Sequence, residues 1–384
     1  MIETYDVIVL GVGGFGSSAM YHLARQNCRV LGIDRFHIAH DRGSSHGETR
    51  IIRKAYFEHP DYVPLLQRAY VLWDDLQREC GQTLLHKVGL FIAGKADCDS
   101  VSGTLKAARL HHLPVDQLDV GEARRRFPGY AFPEDWAVVF EADAGYLNVE
   151  NCVTAHVAAA CRRGANVRTG ETVLAWESDG HSVVVRTDRG VYSAGRLVIT
   201  PGAWAQPILN LPKAANGRPG WWDHLKVLRK VLCWFPADPV YDVDRGNSTF
   251  FFETPVGQFY GFPRLDGQTV KMAEHTGGLT VTDPLAVDRD LQPSDLPRLV
   301  EFAREFMPRL GIQPLRHAVC LYTMTPDGHF CIGRHPEWSN VAIGAGFSGH
   351  GFKFTGVLGE VLSDLVLTGQ AAVPVDFLTP RKWP

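Results

Sequence analysis

The N-terminal pattern of apolar and polar positions predicts a strand, a glycine-rich turn, a helix and a second strand. An apolar, β-branched run over 5–10 leads directly into the turn 11–16, Gly-Val-Gly-Gly-Phe-Gly. A helical stretch follows to about Gln26, and a second apolar strand over 29–33 ends at Asp34. This order of elements is typical of the first unit of a parallel α/β sheet.

The remaining pattern divides into helical segments and one stretch of alternating strands. Helical periodicity recurs over 61–79, over 149–162 before Gly164, from near Ser294, and over about 353–367. Further strands are predicted around Val167, over 181–187, over 196–200 and over 340–343. Between about 225 and 275, four aromatic-rich strands follow one another without helices: 231–235, 249–253, 258–262 and 269–273. Strands connected in this way predict an antiparallel sheet.

These patterns predict an α/β (α+β two-domain) protein, with a Rossmann-like cofactor-binding domain and a substrate domain built on a mainly antiparallel sheet. Both ends of the chain have α/β character, so the two domains are expected to interleave in sequence. The predicted cofactor-binding domain comprises 1–85, 145–220 and 320–384, and the predicted substrate domain comprises 86–144 and 221–319.

Composition argues against several classes of protein. Hydrophobic residues make up 45% and charged residues 21%, with a formal net charge of -3, so neither disorder nor nucleic-acid binding is expected. No apolar run is long enough to cross a bilayer, and the acidic start is unlike a signal peptide, so we expect a cytoplasmic protein without a membrane partner. The 8 cysteines form no C-x-x-C pair and the histidines no His-Glu-x-x-His motif, so no metal site is predicted.

The first glycine turn carries the three glycines that a dinucleotide pyrophosphate requires. Gly11 permits the tight turn, Gly13 lets the backbone approach the phosphates, and Gly16 allows the helix to pack closely on the strand. Asp34 is placed to accept hydrogen bonds from the adenosine ribose hydroxyls. Because the turn lies between a strand and a helix, a dinucleotide site is favoured over a purely structural turn.

A second glycine turn, which includes Gly346 and Gly349, also follows a strand and precedes a helix. No second strand with a terminal acid follows, so a second dinucleotide site is not expected. Lys353 is predicted in the first turn of that helix, where an anion would suit both the lysine and the helix N-terminus. The spacing alone is equally consistent with a solvated lysine at a tight strand–helix junction.

Two pairs of polar residues stand in apolar surroundings. Arg50 and Arg53 are three positions apart, a pattern that predicts a fixed carboxylate or ring partner, or else a surface ion pair. Lys271 and His275 lie on and just after a predicted strand. Their spacing by itself indicates no more than a solvated lysine and an ordinary histidine.

Four sequence segments, taken together, identify a protein family more specifically than any one of them does alone. They are 45–53 (Ser-His-Gly-Glu-Thr-Arg-Ile-Ile-Arg), 260–263 (Tyr-Gly-Phe-Pro), 318–323 (Ala-Val-Cys-Leu-Tyr-Thr) and 346–354 (Gly-Phe-Ser-Gly-His-Gly-Phe-Lys-Phe). In order and spacing the chain resembles the monomeric sarcosine oxidase family, which includes N-methyltryptophan oxidase and, more distantly, pipecolate oxidase. The resemblance runs from residue 5 to beyond 365, and the cysteine and Gly-His-Gly-Phe-Lys segments are its most specific parts.

The resemblance implies a bound FAD, attached covalently through the 8α-methyl of the flavin to Cys320. It implies that Arg53 and Lys353 hold the substrate carboxylate, with Tyr322 nearby, and that Arg50 lies against the flavin ring. It also implies roles for the other motif residues: oxygen reactivity for Lys271, substrate contact for Tyr260 and His275, and cofactor contact for His46, Thr49, Gly346, Gly349 and Lys353.

The implied activity is oxidation of an N-methyl or cyclic secondary amino acid, of the sarcosine, N-methyltryptophan or pipecolate type. Hydride would pass to FAD, the imine would hydrolyse, and O2 would be reduced to H2O2 by a monomeric enzyme. An amine dehydrogenase with another electron acceptor and a non-catalytic flavin-binding module remain alternatives. The bulky runs Phe250-Phe251-Phe252 and Trp221-Trp222 suggest, as a hypothesis, a substrate larger than sarcosine.

Overall fold

The computed structural model describes residues 3–211, 220–381 and 383, which form three sheets and eight α-helices. The strands are β1 Glu3–Leu10, β2 Val30–Ile33, β3 Thr49–Ile52, β4 Leu85–His86, β5 Leu90–Lys95, β6 Asp116–Leu118, β7 Trp136–Glu141, β8 Gly145–Asn148, β9 Asn166–Arg168, β10 Val173–Ser178, β11 Val183–Thr187, β12 Val191–Ile199, β13 Lys226–Pro236, β14 Thr249–Thr254, β15 Gly257–Phe262, β16 Thr269–Glu274, β17 Leu279–Val281, β18 Arg316–Met324, β19 Cys331–Arg334 and β20 Val341–Ala345. The helices are α1 Gly14–Arg25, α2 Tyr62–Cys80, α3 Asp99–His111, α4 Val120–Arg126, α5 Val149–Arg162, α6 Ala205–Leu209, α7 Pro297–Phe306 and α8 Thr355–Leu367.

The first sheet has the order β10-β11-β12-β1-β2-β9, and β20 pairs with β12 while β19 pairs with β20. Its centre is parallel, because β1 pairs in parallel with both β2 and β12, and β12 pairs in parallel with β20. Helix α1 packs against both α5 and α8. Strand, glycine turn and helix at the start of this sheet confirm the predicted Rossmann-like unit.

The second sheet has the order β17-β13-β16-β15-β14-β5-β7-β6, with β18 also paired to β13. All of these pairs are antiparallel except β14 with β5. Its aromatic side chains alternate in direction, and Phe250, Phe252 and Phe259 are buried in one core cluster. A small third sheet, β3-β8-β4, carries the arginine segment. The predicted two-part α/β and antiparallel architecture is therefore confirmed.

Most predicted elements are present, with bounds that differ by a few residues. Helix α7 begins at Pro297 rather than near Ser294, because proline lacks an N–H and suits the first helical position. Strand β11 begins at Val183 because the Asp179 carboxylate accepts the backbone N–H groups of 181 and 182 and closes a turn there. Lys353 lies in a 3-10 turn, Phe352–Phe354, that runs directly into α8, so the prediction that it lies at the start of this helical segment is confirmed, although α8 itself begins at Thr355.

The strands of the first sheet come from the start, middle and end of the chain, and those of the second come from the intervening segments. The predicted boundary at residue 320 falls inside β18, which pairs with β13 along its whole length. The division into domains remains a prediction, and the parts of it at 1–2, 212–219, 382 and 384 lie outside the described residues.

Membrane-spanning helices and groups of metal ligands are both absent from the described residues. No helix among them is both long and apolar enough to cross a membrane. Within the same residues, no three His, Cys, Asp or Glu side chains are grouped as ligands of a metal ion would be.

Candidate active site

Residues from all three sheets line one continuous cavity. The first sheet contributes the ends of β1 and β2, the small sheet contributes β3, and the second sheet contributes β14, β15 and β18. The predicted site residues that line the cavity are Gly11, Gly13, Asp34, Arg50, Arg53, Tyr260, His275, Cys320, Tyr322, Gly349 and Lys353. Folding therefore brings together residues that are more than 300 positions apart in sequence.

The first glycine turn forms part of the cavity wall. Gly11 has φ +85°, and a Cβ there would lie 2.5 Å from the carbonyl oxygen of Thr200, so glycine is required on both counts. A Cβ on Gly13 would meet only Ser45 Oγ within 4 Å, at 3.8 Å. The backbone at Gly13 thus has open space beside it, as close approach of a pyrophosphate requires.

Asp34 lies at the end of β2 on the same cavity wall. Its Oδ2 accepts the N–H of Val12 at 2.7 Å, and its Oδ1 accepts the N–H of Phe36 at 2.8 Å. Burial raises the pKa of Asp34, although nearby His40 and the two N–H groups oppose that rise. The carboxylate therefore fixes the glycine turn to β2 and keeps free lone pairs with which to accept ribose hydroxyls.

Gly16→Ala is expected to destabilise the chain, because its Cβ would lie 1.8 Å from the carbonyl oxygen of Gly11. Overpacking against backbone costs about 1–3 kcal/mol. Gly13→Ala is the matched comparison: it should retain stability and lower FAD affinity instead, because its Cβ enters open space. Thermal melting of protein produced without flavin, followed by FAD titration, measures both effects. Equal melting temperatures for the two variants would contradict this assignment.

Cys320 and Arg50 are adjacent in the cavity wall. The Cys320 side chain is fully buried on β18, and the Arg50 guanidinium on β3 donates to its Sγ at 3.2 Å. A second donor nitrogen of Arg50 is held by the backbone oxygen of Thr49 at 2.9 Å. The cysteine predicted to carry the flavin therefore has a fixed cation beside its sulfur.

Arg53 is buried and already has a partner. Its guanidinium lies 4.5 Å from the ring centre of Tyr56 and 4.4 Å from that of Phe57, and it donates to Glu58 Oε2 at 2.6 Å. Burial is the largest influence on Glu58 and would raise its pKa, but the charges of Arg53, His350 and Lys353 together outweigh it and hold that pKa at about 2. Both alternatives that the sequence suggested for a buried arginine, a carboxylate and a ring face, are present together.

Lys353 lines the cavity beside this pair and is 5% exposed. Its Nζ donates to the carbonyl oxygen of His350 at 2.8 Å and to the Tyr56 hydroxyl at 3.3 Å. Burial, followed by the charge of Arg53, lowers the pKa of Lys353 to about 7. Lys353 is therefore not solvated, and its side chain turns back onto the segment that precedes the helix.

Aromatic rings form the wall next to these cations. Tyr260, His275 and Tyr322 all line the cavity, and Tyr322 Oη lies 3.5 Å from His275 Nδ1. Burial lowers the pKa of His275 to about 3 and raises that of Tyr260, so both are neutral near pH 7. Phe251 also lines the cavity, 6.2 Å from His275 between ring centres.

The expectation that the whole Phe250-Phe251-Phe252 run shapes the pocket is only partly met. Successive side chains on a strand point to opposite faces, so Phe251 reaches the cavity while its two neighbours pack in the core of the second sheet. Trp221 and Trp222 pack beside the core of the first sheet. Trp222 Nε1 donates to Asn210 Oδ1 at 2.6 Å, which fits ordinary packing rather than an entrance.

Five predicted site residues are buried without lining the cavity: Gly16, His46, Thr49, Lys271 and Gly346. Lys271 Nζ donates to the carbonyl oxygens of Gly47 at 2.5 Å and Thr49 at 2.8 Å, and to Thr49 Oγ1 at 3.0 Å. Burial, and then the charge of Arg50, holds the pKa of Lys271 well below its usual value. Arg50, Arg53 and Lys353 therefore line the cavity, whereas Lys271 does not.

Sequence reasoning missed Glu58 and Tyr56, the partners of the two carboxylate-binding candidates. Both lie within five positions of Arg53, and the acid at 58 was the signal available for the expected fixed carboxylate. Trp204 was also missed; it lines the cavity, and its buried Nε1 has no hydrogen-bond partner among the described residues.

The lining residues fit FAD. Gly13 leaves room at the glycine turn, Asp34 lies at the end of the second strand, and Trp204 supplies an unpartnered donor. The same cavity is also lined by a guanidinium and a thiol, Arg50 and Cys320, and by the aromatic wall. This set of groups suits a dinucleotide with a redox-active ring better than it suits a small substrate alone.

Comparison with known proteins gives consistent matches. A family model described as FAD dependent oxidoreductase matches residues 6–365. A monomeric sarcosine oxidase from Streptomyces avermitilis is 39% identical, covering 100% of this chain and 98% of its own length. An N-methyl-L-tryptophan oxidase from Yersinia pestis is 35% identical, with 93% of each chain covered. Among solved structures, the open form of NikD, an unusual amino acid oxidase essential for nikkomycin biosynthesis, has a TM-score of 0.85 at 26% identity, covering 99% of this chain and 98% of that one.

Proposed function

The chain belongs to the FAD-dependent oxidoreductases, within the monomeric sarcosine oxidase and N-methyltryptophan oxidase family, and we propose that it oxidises an N-methyl or cyclic secondary amino acid. The observation that carries the proposal is the placement of two buried cations, Arg53 and Lys353, next to an aromatic wall in the cavity that fits FAD. Two cations fit a carboxylate, and the rings fit the apolar part of an amino acid.

The carboxylate of the substrate would bind to the guanidinium of Arg53, which in this structure is also paired with Glu58. Glu58 is paired with Arg53 through one guanidinium nitrogen, and Arg53 Nε is buried with no hydrogen-bond partner among the described residues. The fork of an arginine accommodates two oxygens, so it can hold a second carboxylate or exchange one for another. Lys353 would contact the other oxygen of the substrate carboxylate.

The amine of the substrate must be neutral to lose a hydride. Arg50, Arg53 and Lys353 together disfavour another positive charge in the cavity and therefore lower the pKa of a bound amine. Tyr260 and His275 are neutral, so they add no compensating negative charge. Glu58, the carboxylate beside these cations on the cavity wall, is paired with Arg53, so the charge around the amine stays net positive and favours the reactive neutral form.

Bound FAD would supply the hydride acceptor, and its reaction with O2 would yield H2O2. The chain's own contribution is to hold the carboxylate, orient the amine and exclude water from the reacting atoms. Cys320 would tether the cofactor, and the first glycine turn and Asp34 would hold its adenosine diphosphate part.

A substrate panel with peroxide detection tests the proposal. The holoenzyme is assayed with sarcosine, bulkier N-methyl amino acids, cyclic secondary amino acids, the matching amines that lack a carboxylate, and primary amino acids. We expect turnover of the secondary amino acids, with one H2O2 formed per substrate oxidised. Because aromatic rings wall the site, we expect a larger kcat/KM for a bulky or cyclic substrate than for sarcosine.

The panel also separates the alternatives. Reduction of an artificial dye without peroxide would show a dehydrogenase, and failure of every amine to bleach the flavin would show a non-catalytic module. Preference for sarcosine over all larger substrates would contradict the size prediction alone, and equal rates with and without the carboxylate would contradict the Arg53 and Lys353 assignment.

A further inference from the structure

Lys353 is linked by consecutive hydrogen bonds through Tyr56 and His350 to a backbone carbonyl oxygen, that of Gly328. The Tyr56 hydroxyl lies 3.3 Å from Lys353 Nζ and 2.6 Å from His350 Nδ1. On the other side of the imidazole, Nε2 lies 3.0 Å from the carbonyl oxygen of Gly328. Tyr56 is fully buried and His350 is 9% exposed, so little solvent reaches these contacts.

Whether each atom is a donor or an acceptor sets the direction of every hydrogen bond between Lys353 and Gly328. A carbonyl oxygen only accepts, so Nε2 of His350 carries the hydrogen that is donated to Gly328. Burial lowers the pKa of His350 to about 4, so near pH 7 its Nδ1 is a bare acceptor. The Tyr56 hydroxyl has one hydrogen, and Nδ1 of His350 at 2.6 Å is a much closer acceptor than the His350 carbonyl oxygen at 3.4 Å. Tyr56 therefore donates its O–H to Nδ1, and its oxygen accepts from Lys353.

This direction determines how Lys353 can be used. An ammonium has three N–H donors. One is donated to the carbonyl oxygen of His350 at 2.8 Å and one to the Tyr56 oxygen. The third remains for the cavity that Lys353 lines.

We propose that His350 is a positioning residue of the carboxylate subsite: acting through the Tyr56 hydroxyl, it holds Lys353 as an ammonium with one N–H directed at the substrate. Because this rests on the proposed function, it deepens that function rather than adding a second one. Without His350, the Tyr56 O–H is free to turn toward Lys353, where it would favour the neutral amine. The Gly-His-Gly-Phe-Lys segment would thus carry both the lysine and the group that sets its charge.

Other charged and titratable groups also face Lys353, and the test must hold them constant. Arg50 and Arg53 lower its pKa, and Glu58 raises it. The uncharged groups around it are Tyr56, His350 and, across the cavity, His275. Changing Tyr56 or His350 leaves Arg50, Arg53 and Glu58 in place, and Glu58, with a pKa of about 2, stays ionised near neutral pH. A shift in the titration of Lys353 would therefore report the change in the hydrogen bonds that link it to these two residues.

The experiment measures propionate binding to the holoenzyme by calorimetry between pH 5.5 and pH 9. Propionate stays ionised over this range, and its binding needs no turnover. In the wild type its affinity should fall as Lys353 loses its proton. In Tyr56→Phe and His350→Leu, the midpoint of that fall should move down by about one pH unit, because an acceptor of the ammonium N–H is lost or turned away. At pH 7.5, affinity should fall about tenfold.

His350→Asn and Tyr62→Phe are the matched variants. His350→Asn keeps an acceptor near the position of Nδ1 and should restore most of the affinity and the wild-type midpoint. The Tyr62 ring also packs on His350, but its hydroxyl lies 3.3 Å from His329 Nδ1 instead of reaching Lys353, so Tyr62→Phe should leave the profile unchanged. Melting temperature and flavin content verify that each variant is folded. If His350→Leu does not fold, the near-isosteric Tyr56→Phe tests the proposal on its own.

The proposal is overturned if Tyr56→Phe keeps the wild-type affinity and midpoint, or if Tyr62→Phe shifts them equally. Its failure is distinct from failure of the proposed function. A holoenzyme that oxidises no secondary amine but shows the expected propionate profiles would refute only the function. One that oxidises amino acids with unshifted profiles would refute only the role of His350.

Discussion

Replacing Cys320 with serine is expected to release the flavin completely on acid denaturation, whereas the wild-type chain should precipitate with its flavin attached. The physical reason is that the Cys320 sulfur would replace one hydrogen of the 8α-methyl in a stable thioether, with two protons lost and two electrons passed through the flavin to O2, whereas a serine hydroxyl is a far weaker nucleophile. Cys320 is fully buried, lines the cavity and lies 3.2 Å from an Arg50 donor nitrogen. Absorbance of pellet and supernatant near 450 nm, about the usual flavin maximum, measures the partition.

Cys233→Ser is the matched control for this experiment. Cys233 is also fully buried and lies on β13 of the same sheet, but it packs in the core cluster away from the cavity. It should therefore keep covalent flavin even if the buried hydroxyl lowers stability. Flavin that separates freely from the wild-type protein, or stays attached in Cys320→Ser, would show that Cys320 is not the attachment site.

Arg53→Met is expected to lower kcat/KM for a secondary amino acid by about 100-fold or more. Removing one partner of a buried, hydrogen-bonded charge pair costs about 2–5 kcal/mol. Methionine keeps much of the side-chain length between the Tyr56 and Phe57 rings but removes the fork that would hold the carboxylate. Steady-state kinetics with a secondary amino acid and with its decarboxylated amine measure the effect. The loss should appear mainly with the amino acid.

Two further variants distinguish the loss of carboxylate binding from structural disruption of the site. Arg53→Met leaves Glu58 buried without its 2.6 Å partner, so the double variant with Glu58→Gln should recover part of the loss but not all of it. Arg126→Met, which removes an arginine stacked 3.6 Å from the ring centre of Phe140 outside the cavity, should leave kcat/KM unchanged. Equal losses for the amino acid and the amine would contradict a role for Arg53 in carboxylate binding.

Local sequence patterns predicted the helices, strands and turns correctly wherever residues close in sequence determine the structure. The strand, glycine turn and helix at the N-terminus follow from apolar alternation and from backbone freedom at Gly11, which has φ +85°. Helix α5 matches its predicted bounds, and Gly164 follows it with φ +90°, as a left-handed cap requires. The boundaries that differ from the prediction, such as the start of α7, are each set by one residue. Such a residue moves the end of an element by a few positions, and the periodicity of apolar residues does not register it.

Site residues were predictable by type but not by partner. The sequence indicated that Arg53 needs a fixed partner, and the structure supplies Glu58 together with two rings. Lys271 matched a family position, yet its Nζ is bound by two backbone carbonyl oxygens and does not line the cavity. The direction of a buried side chain depends on what packs against it, and for Lys271 that is a loop more than 200 positions away.

The sequence by itself determined the Rossmann-like start, the antiparallel second sheet and the family, because periodicity, turn glycines and ordered motifs are encoded in neighbouring residues. Only the tertiary structure decided which members of each motif face the cavity. Phe251 reaches it while its two neighbours enter the core, and Lys353 turns back to Tyr56 and His350 instead of facing a helix terminus. Pairing between distant segments sets those directions, and no local pattern records them.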